Sequence, residues 1–187
     1  MVVDVIIPVY RPEREKLTKL IDWLNKQTVK PSHVFFMQTL VEEKEDEEVL
    51  QMLQKAENVE IVPIEKKDFD HGGTRNKGAA LSKADYMLFM TQDAVPVDAY
   101  LIENLVRAME EEEAATAYGR QLPDDTVGVI EHYTREFNYP AKSYVKSKRD
   151  LETMGIKTYF CSNVCAYKPE ACSFTAPNGA LMAMAGN

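Results

Sequence analysis

Strand-like and helix-like segments alternate four times before residue 115, and that order constrains the fold more than any other feature of the chain. Residues 2–9, "VVDVIIPV", form a nearly continuous apolar, β-branched run of the kind buried on both faces of a parallel sheet. The next stretch, "PEREKLTKLIDWLNKQ", places Leu17, Leu20, Ile21 and Leu24 at helical spacing, and Pro12 with the early glutamates suits a helix start. "HVFFMQT" reads as a second strand. Residues 42–57 form an acidic helix with Val49, Leu50 and Leu53 as its apolar stripe, the charge run being a solvated face. "VEIVPIE" is a third strand, "FDHGGTRNKG" leads into a short helix ending near Ser82, and "ADYMLFMTQD" is a fourth strand. Asp98 is expected to N-cap the helix "AYLIENLVRAMEEEE". "ATAYGRQL" gives a fifth strand, "VGVIEHYTREFNYP" a helix, "AKSYVKSKRDLETMG" a polar loop or short helix, and "KTYFCSNVCAY" a sixth strand.

Alternation of this kind calls for right-handed βαβ units and a mainly parallel, doubly wound α/β sheet. Ligands of such sheets bind beyond the carboxyl ends of the strands. Those ends carry Tyr10 and Arg11, then Gln38 and Thr39, then residues 68–73, then Thr91, Gln92 and Asp93. They are polar, mixed in sign, and rich in groups that bind phosphate, metal or sugar hydroxyls.

Bulk properties exclude several classes. A chain of 187 residues is long enough for one domain with a sizeable core. Its formal net charge of -8 argues against a broadly basic nucleic-acid surface, while a local basic cleft can still hold an anion. No apolar run approaches the roughly 20 residues that cross a bilayer. The start, "MVVDVIIPVY", lacks a basic segment and a cleavage site, so it is not a signal peptide. Cys161, Cys165 and Cys172 lack the spacing of a zinc site, and their odd number suits buried, reduced thiols.

The strand-end residues suggest anion chemistry. Gly72 and Gly73 let the backbone turn tightly and approach a ligand at a helix N-terminus, where free amides favour phosphate. Glycines are equally common at an ordinary helix start, so this signal is weak alone. Arg75 adds a guanidinium suited to bidentate oxyanion contact. Asp93 can hold a hard cation against a diphosphate, since Mg²⁺ usually needs only one or two protein carboxylates; it reads equally as a turn aspartate. His71 suits a hydroxyl contact or proton transfer, although a lone histidine is more often structural. No catalytic triad, HExxH or Walker A lysine motif is present.

Taken together, the stretches "VIIPVYRP", "FDHGGTRNKG", "LFMTQDAVP", "YGRQLP", "EFNYP" and "FCSNVCAYK" resemble the inverting glycosyltransferases of family 2, and most of all their rhamnosyltransferase branch. They follow the family's order from residue 2 to about residue 170. The resemblance implies the GT-A fold, a Rossmann-like nucleotide-sugar-binding domain over residues 1–170, with 171–187 as a tail outside it. It implies transfer of a sugar, L-rhamnose from dTDP-rhamnose, to a saccharide or lipid-linked saccharide acceptor in bacterial cell-surface polysaccharide synthesis. The setting it implies is cytoplasmic, at the inner face of the membrane, with at most peripheral contact to it and no nucleic-acid partner. Pro8, Tyr10 and Asp68 would surround the base and ribose, and Arg75 would face the base or diphosphate. Gly72, Gly73, Asn76 and Gln92 belong to the same matched stretches and would line the donor. Asp93 holds the last position of the family's DxD motif, for Mg²⁺ or Mn²⁺, with Thr91 where its first acid usually stands. His71, Arg120, Gln121, Asn138, Ser162 and Asn163 match motifs expected to line the sugar and acceptor side.

The chain also departs from the pattern. Gln38 and Thr39 replace the Asp often found after the second strand, leaving base specificity open. The family's catalytic base, an Asp in an "ED" pair, is expected beyond residue 170, yet "ACSFTAPNGALMAMAGN" contains no acid. The chain is therefore expected to be truncated or frame-shifted there, with a tail that adds little stability. A donor-binding fragment without the base is the alternative function. A nucleotidyltransferase is disfavoured, because "VYRPEREK" lacks the glycine-rich loop that class places after its first strand.

Overall fold

The structure is a computed structural model, and it describes residues 1–122, 128–139, 141–155 and 162–169. Six strands form one sheet: β1 (Val3–Val9), β2 (His33–Thr39), β3 (Val59–Ile64), β4 (Tyr86–Phe89), β5 (Thr116–Tyr118) and β6 (Cys165–Tyr167). The helices are α1 (Arg14–Asn25), α2 (Glu43–Leu53), α3 (His71–Leu81), α4 (Leu101–Glu111), α5 (Val129–Asn138) and α6 (Leu151–Met154). Across the sheet the order is β3-β2-β1-β4-β6-β5. The first four pair in parallel, and β6 runs antiparallel between β4 and β5. The expected mainly parallel, doubly wound sheet is present, with one reversed strand.

β1 is central and buried on both faces, as its unbroken apolar run required. Val3, Val5, Ile7 and Val9 join one core with Leu17, Leu20, Ile21 and Leu24 of α1, Val49 and Leu53 of α2, and the Ile102, Leu105, Val106 and Met109 stripe of α4. Ile6 belongs to the opposite core with Phe35, Met37, Met87, Phe89 and Tyr167, against which Phe69 and Ala79 pack. Pro63 lies in the edge strand β3, where a missing amide costs no central ladder bond.

Pro8 sits in a central strand, and the hydrogen bonding shows why that is tolerated. The carbonyl of Ile6 accepts from Met90 N (3.1 Å), so even-numbered residues of β1 direct their backbone groups toward β4. Pairing between β1 and β4 stops at Ile6 and Phe89. The absent amide of Pro8 thus falls just past the ladder, where the two strands part.

Several element boundaries differ from expectation. The fourth strand is Tyr86–Phe89, shorter than residues 84–93, because the chain turns at Thr91 with Ala94 N donating to Thr91 O (3.1 Å). The fifth is Thr116–Tyr118 within the expected 115–122. Asp98 does not cap α4: its carboxylate accepts from Tyr100 N (2.8 Å), closing a turn before the helix. The cap is tertiary. Gln27 Oε1 accepts from Ile102 N (3.1 Å), while its Nε2 donates to the carbonyls of Trp23 and Asp98. The polar stretch 141–155 holds a 3-10 turn, Lys148–Asp150, and α6. Of the expected sixth strand, residues 157–161 lie outside the described residues, as do Cys161, Cys172 and the whole of 171–187. Cys165 is buried, and its thiol donates to Ser162 O (3.1 Å).

Candidate functional site

The strand order reverses between β1 and β4, since β2 and β3 extend one way from β1 and β4, β6 and β5 the other. A crevice at such a switch point follows from two βα connections leaving in opposite directions. Here it is bridged at its floor. Tyr10 N donates to Gln92 Oε1 (2.7 Å) and Gln92 Nε2 donates to Tyr10 O (2.9 Å), so one side chain continues the β1–β4 ladder that Pro8 interrupts. Gln92, expected to line the donor, thereby fixes the two strand ends relative to each other.

Tyr10 carries the arrangement onward. Its ring stacks on Phe69 with centroids 6.3 Å apart and planes 21° apart, and Phe69 meets His71 edge-on at 5.0 Å. His71 O accepts from an Arg75 guanidinium nitrogen (2.8 Å). A continuous path thus joins Gln92, Tyr10, Phe69, His71 and Arg75, uniting the ends of β1 and β4 with the start of α3. Phe69 was quoted in the sequence motif but not singled out; only its position between two rings reveals what it does. Arg11, next to Tyr10, has φ 41° and places its guanidinium 5.9 Å from the Tyr10 ring centroid. Such a left-handed conformation costs an L-residue about 1–2 kcal/mol and turns the chain out of β1.

Arg75 is half-buried and its sole hydrogen-bond partner among the described residues is that neutral carbonyl. Burial pulls its pKa below the ordinary arginine value, and nearby Tyr167 opposes the shift. The guanidinium stays charged at neutral pH, so the site holds a partly desolvated cation that no carboxylate among the described residues pairs with. Such a cation favours an anionic ligand.

The glycines beside it behave differently from the sequence expectation. Gly72 and Gly73 lie within the first turn of α3, and the Asp70 carboxylate caps the helix by accepting from Gly73 N. That amide is already engaged, which leaves Arg75 as the stronger anion-binding feature. Thr74 and Gly78, one turn apart, face the sheet. A Cβ on Gly78 would stand 2.5 Å from Ile6 Cγ2, so this glycine permits close approach of α3 to β1.

Asp93 is exposed in the turn after β4, and no hydrogen bond or ion pair engages its carboxylate among the described residues. No group of three or more His, Cys, Asp or Glu able to hold a metal occurs among those residues. A single free carboxylate fits a cation whose remaining ligands are diphosphate oxygens and water. Asp68 is exposed in the 3-10 turn Lys66–Asp68, close in sequence to Phe69.

Gln38 and Thr39 line a shallow, open indentation with Val9, Arg11, Pro12, Val41, Glu45, Asp46 and Val49. Gln38 is buried and donates to Asp46 O (3.0 Å), whose carboxylate accepts from Val41 N. It therefore braces α2 against β2. Thr39 is also buried, and its hydroxyl has no hydrogen-bond partner among the described residues.

On the acceptor side, Gln121 accepts from Arg135 (3.0 Å), tying the segment after β5 to α5. Arg120 and Asn163 are exposed, and Asn138 is half-buried at the end of α5. The Ser162 hydroxyl both donates to Val164 O and accepts from Val164 N, shaping the turn into β6.

A mainly parallel open sheet with a polar switch-point crevice places the domain in the α/β class with the GT-A type of fold. Residues 4–171 match Glycosyl transferase family 2, and the chain belongs to that family. It is 37% identical over 164 residues to the O-antigen chain rhamnosyltransferase RfbN of Salmonella typhimurium, covering 87% of this chain and 51% of that one. It is 30% identical over 159 residues to the O-antigen chain rhamnosyltransferase WbaN of Salmonella anatum, covering 84% and 49%. The chain thus spans about half the length of these curated relatives. Among solved structures, residues 1–349 of S. aureus TarS in complex with UDP-GlcNAc match with a TM-score of 0.61 and 18% identity, covering 91% of this chain and 46% of that one. The mannosyltransferase PcManGT of Pyrobaculum calidifontis, in complex with GDP-Man and Mn²⁺, matches with a TM-score of 0.54 and 18% identity, covering 90% and 45%. These likenesses establish the fold.

Proposed function

We propose that the protein is an inverting glycosyltransferase domain that takes L-rhamnose from dTDP-rhamnose and serves O-antigen-type polysaccharide synthesis. The observation that carries this is the linked path from Gln92 through Tyr10, Phe69 and His71 to Arg75, at the switch point of a chain 37% identical to an O-antigen chain rhamnosyltransferase. In this reading Pro8 and Tyr10, at the end of β1, and Asp68 surround the base and ribose, with Gln38 at the neighbouring strand end. Arg75 faces the diphosphate and stabilises charge as the glycosidic C–O bond breaks. Asp93 would hold Mg²⁺ or Mn²⁺, which supplies further charge neutralisation to the leaving diphosphate when bound. An acceptor hydroxyl attacks the anomeric carbon from the opposite face, so configuration inverts. His71, Arg120, Gln121, Asn138 and Asn163 orient the sugar and acceptor. The acceptor is a saccharide, lipid-linked in the polymer-forming setting, and the reaction takes place at the cytoplasmic face of the membrane.

A second reading is a donor-holding module, favoured by the fact that none of the described residues is assigned as the base. Losing a positioned base costs roughly 10²- to 10⁴-fold in rate. Calorimetry with dTDP-rhamnose and Mg²⁺, run beside a turnover assay, separates the readings. Binding with turnover supports the transferase. Binding without turnover supports the module, and absence of binding to this donor overturns the dTDP-rhamnose assignment.

A further inference from the structure

Two helices of this protein are strongly amphipathic, and the fold treats them differently. The apolar stripe of α4 is sealed into the core through Ile102, Leu105, Val106 and Met109. No residue of α5 is buried. Val129 and Ile130 are 86% and 84% exposed, Tyr133 67%, and the Tyr133 ring stacks on Phe137 at 6.1 Å. These positions fall at helical spacing on one face. Tyr144 and Val145 are also exposed a few residues on.

Charge distinguishes what this face suits. Residues 129–150 carry five Lys or Arg against three Asp or Glu, whereas the rest of the chain carries 17 against 27. The acids of this stretch are also internally engaged: Glu131 pairs with Arg135 (2.6 Å), Glu136 with His132 (3.3 Å), and Asp150 accepts from the Ser147 amide and hydroxyl. Lys142 and Arg149 are exposed and meet no carboxylate among the described residues. The exposed apolar helix is thus followed, over residues 141–149, by four Lys or Arg and no Asp or Glu. An anionic lipid surface matches both properties, because apolar side chains enter the headgroup boundary while cations meet phosphate. A symmetric contact with a second copy suits it less, since it would set the same cations opposite one another.

We propose that α5 and the following segment to Arg149 form a docking surface for an anionic phospholipid membrane. This rests on the function above only for the reason a membrane is near; the physical match stands on the helix and its charges.

The test is co-sedimentation of the full chain with phosphatidylcholine vesicles and with mixed phosphatidylcholine–phosphatidylglycerol vesicles, without donor or acceptor, at low and high salt. Binding is expected to the mixed vesicles at low salt and to fall with salt. Ile130→Glu should abolish it, and the double variant Lys142→Glu/Arg149→Glu should weaken it about tenfold or more. Both variants lie on exposed positions and should keep the wild-type melting temperature. Equal binding to the two vesicle types, no binding to either, or unchanged binding by Ile130→Glu would overturn the proposal. So would a wild-type dimer that becomes monomeric in Ile130→Glu and ignores vesicles. Turnover and donor affinity, measured separately, report on the transferase reading; vesicle binding with no turnover leaves this proposal standing and that one failed.

Discussion

At the scale of single residues, Arg75 and Asp93 carry the electrostatics of the crevice in different ways. Arg75 is half-buried, tied to His71 O, and already partly desolvated, so an incoming diphosphate meets a cation that water shields little. Lysine keeps the charge and loses the planar fork. Arg75→Lys should therefore weaken binding of the nucleoside diphosphate on the order of tenfold while changing free-nucleoside affinity little. Calorimetry with dTDP and thymidine reads this directly, and an equal loss for both would remove Arg75 from the phosphate site. Asp93 is exposed and contributes nothing visible to packing. Asp93→Ala should abolish the Mg²⁺- or Mn²⁺-dependent part of donor binding and leave stability within about 0.5 kcal/mol of wild type. Donor titrations with and without metal, beside a thermal melt, check both halves.

At the scale of elements, α3 does two jobs at once. Its first turn presents His71 and Arg75 to the crevice, and its inner face lies close enough to the sheet that Gly78 touches Ile6 and Met37. A methyl group there has no room, since Ile6 is itself fully buried and cannot swing aside. Gly78→Ala, which on helix propensity alone would stabilise by about 1 kcal/mol, should instead destabilise by roughly 1–3 kcal/mol through overpacking. Urea denaturation gives the sign. Because α3 would be pushed off β1, donor affinity should fall in the same variant even though Gly78 is remote from the ligand. A stabilised variant with unchanged affinity would show that the helix shifts freely.

At the scale of the whole molecule, the sheet closes through its latest strand. β6 lies between β4 and β5, with Ala166 facing Leu88 on one side and Ala117 on the other. Strands far apart in sequence thus complete the sheet, and Tyr167 of the same strand stands near Arg75. Ala166 is 2% exposed, and an aspartate there would bury an unpaired charge. Ala166→Asp should cost more than about 3 kcal/mol and remove cooperative unfolding at ambient temperature. Circular dichroism melts test it; a fold that survives with a small loss would mean β6 is peripheral to the domain's stability.

The order of strands and helices, the double-sided burial of β1 and the polar character of the strand ends were all legible in the sequence, because periodicity and β-branched runs are local properties. So was the family pattern, in which Asp93 and Arg75 stand as candidates. The insertion of β6 between β4 and β5 was not, since nothing local to "CAY" states which strands it will join. Caps and bridges were similarly hidden. Asp98 looked like the cap of α4, but Gln27 supplies the acceptor from 75 residues away, and Gln92 completes a ladder between two strand ends. Gly72 and Gly73 looked like the reason for the motif's glycines, while Gly78 proved the one that packing demands. In each case the sequence determined which chemical groups were present and on which kind of element. Which of them bonded to each other was decided only in three dimensions, because a hydrogen bond or a close contact depends on distance in space, and that distance is set by the sheet order rather than by separation along the chain.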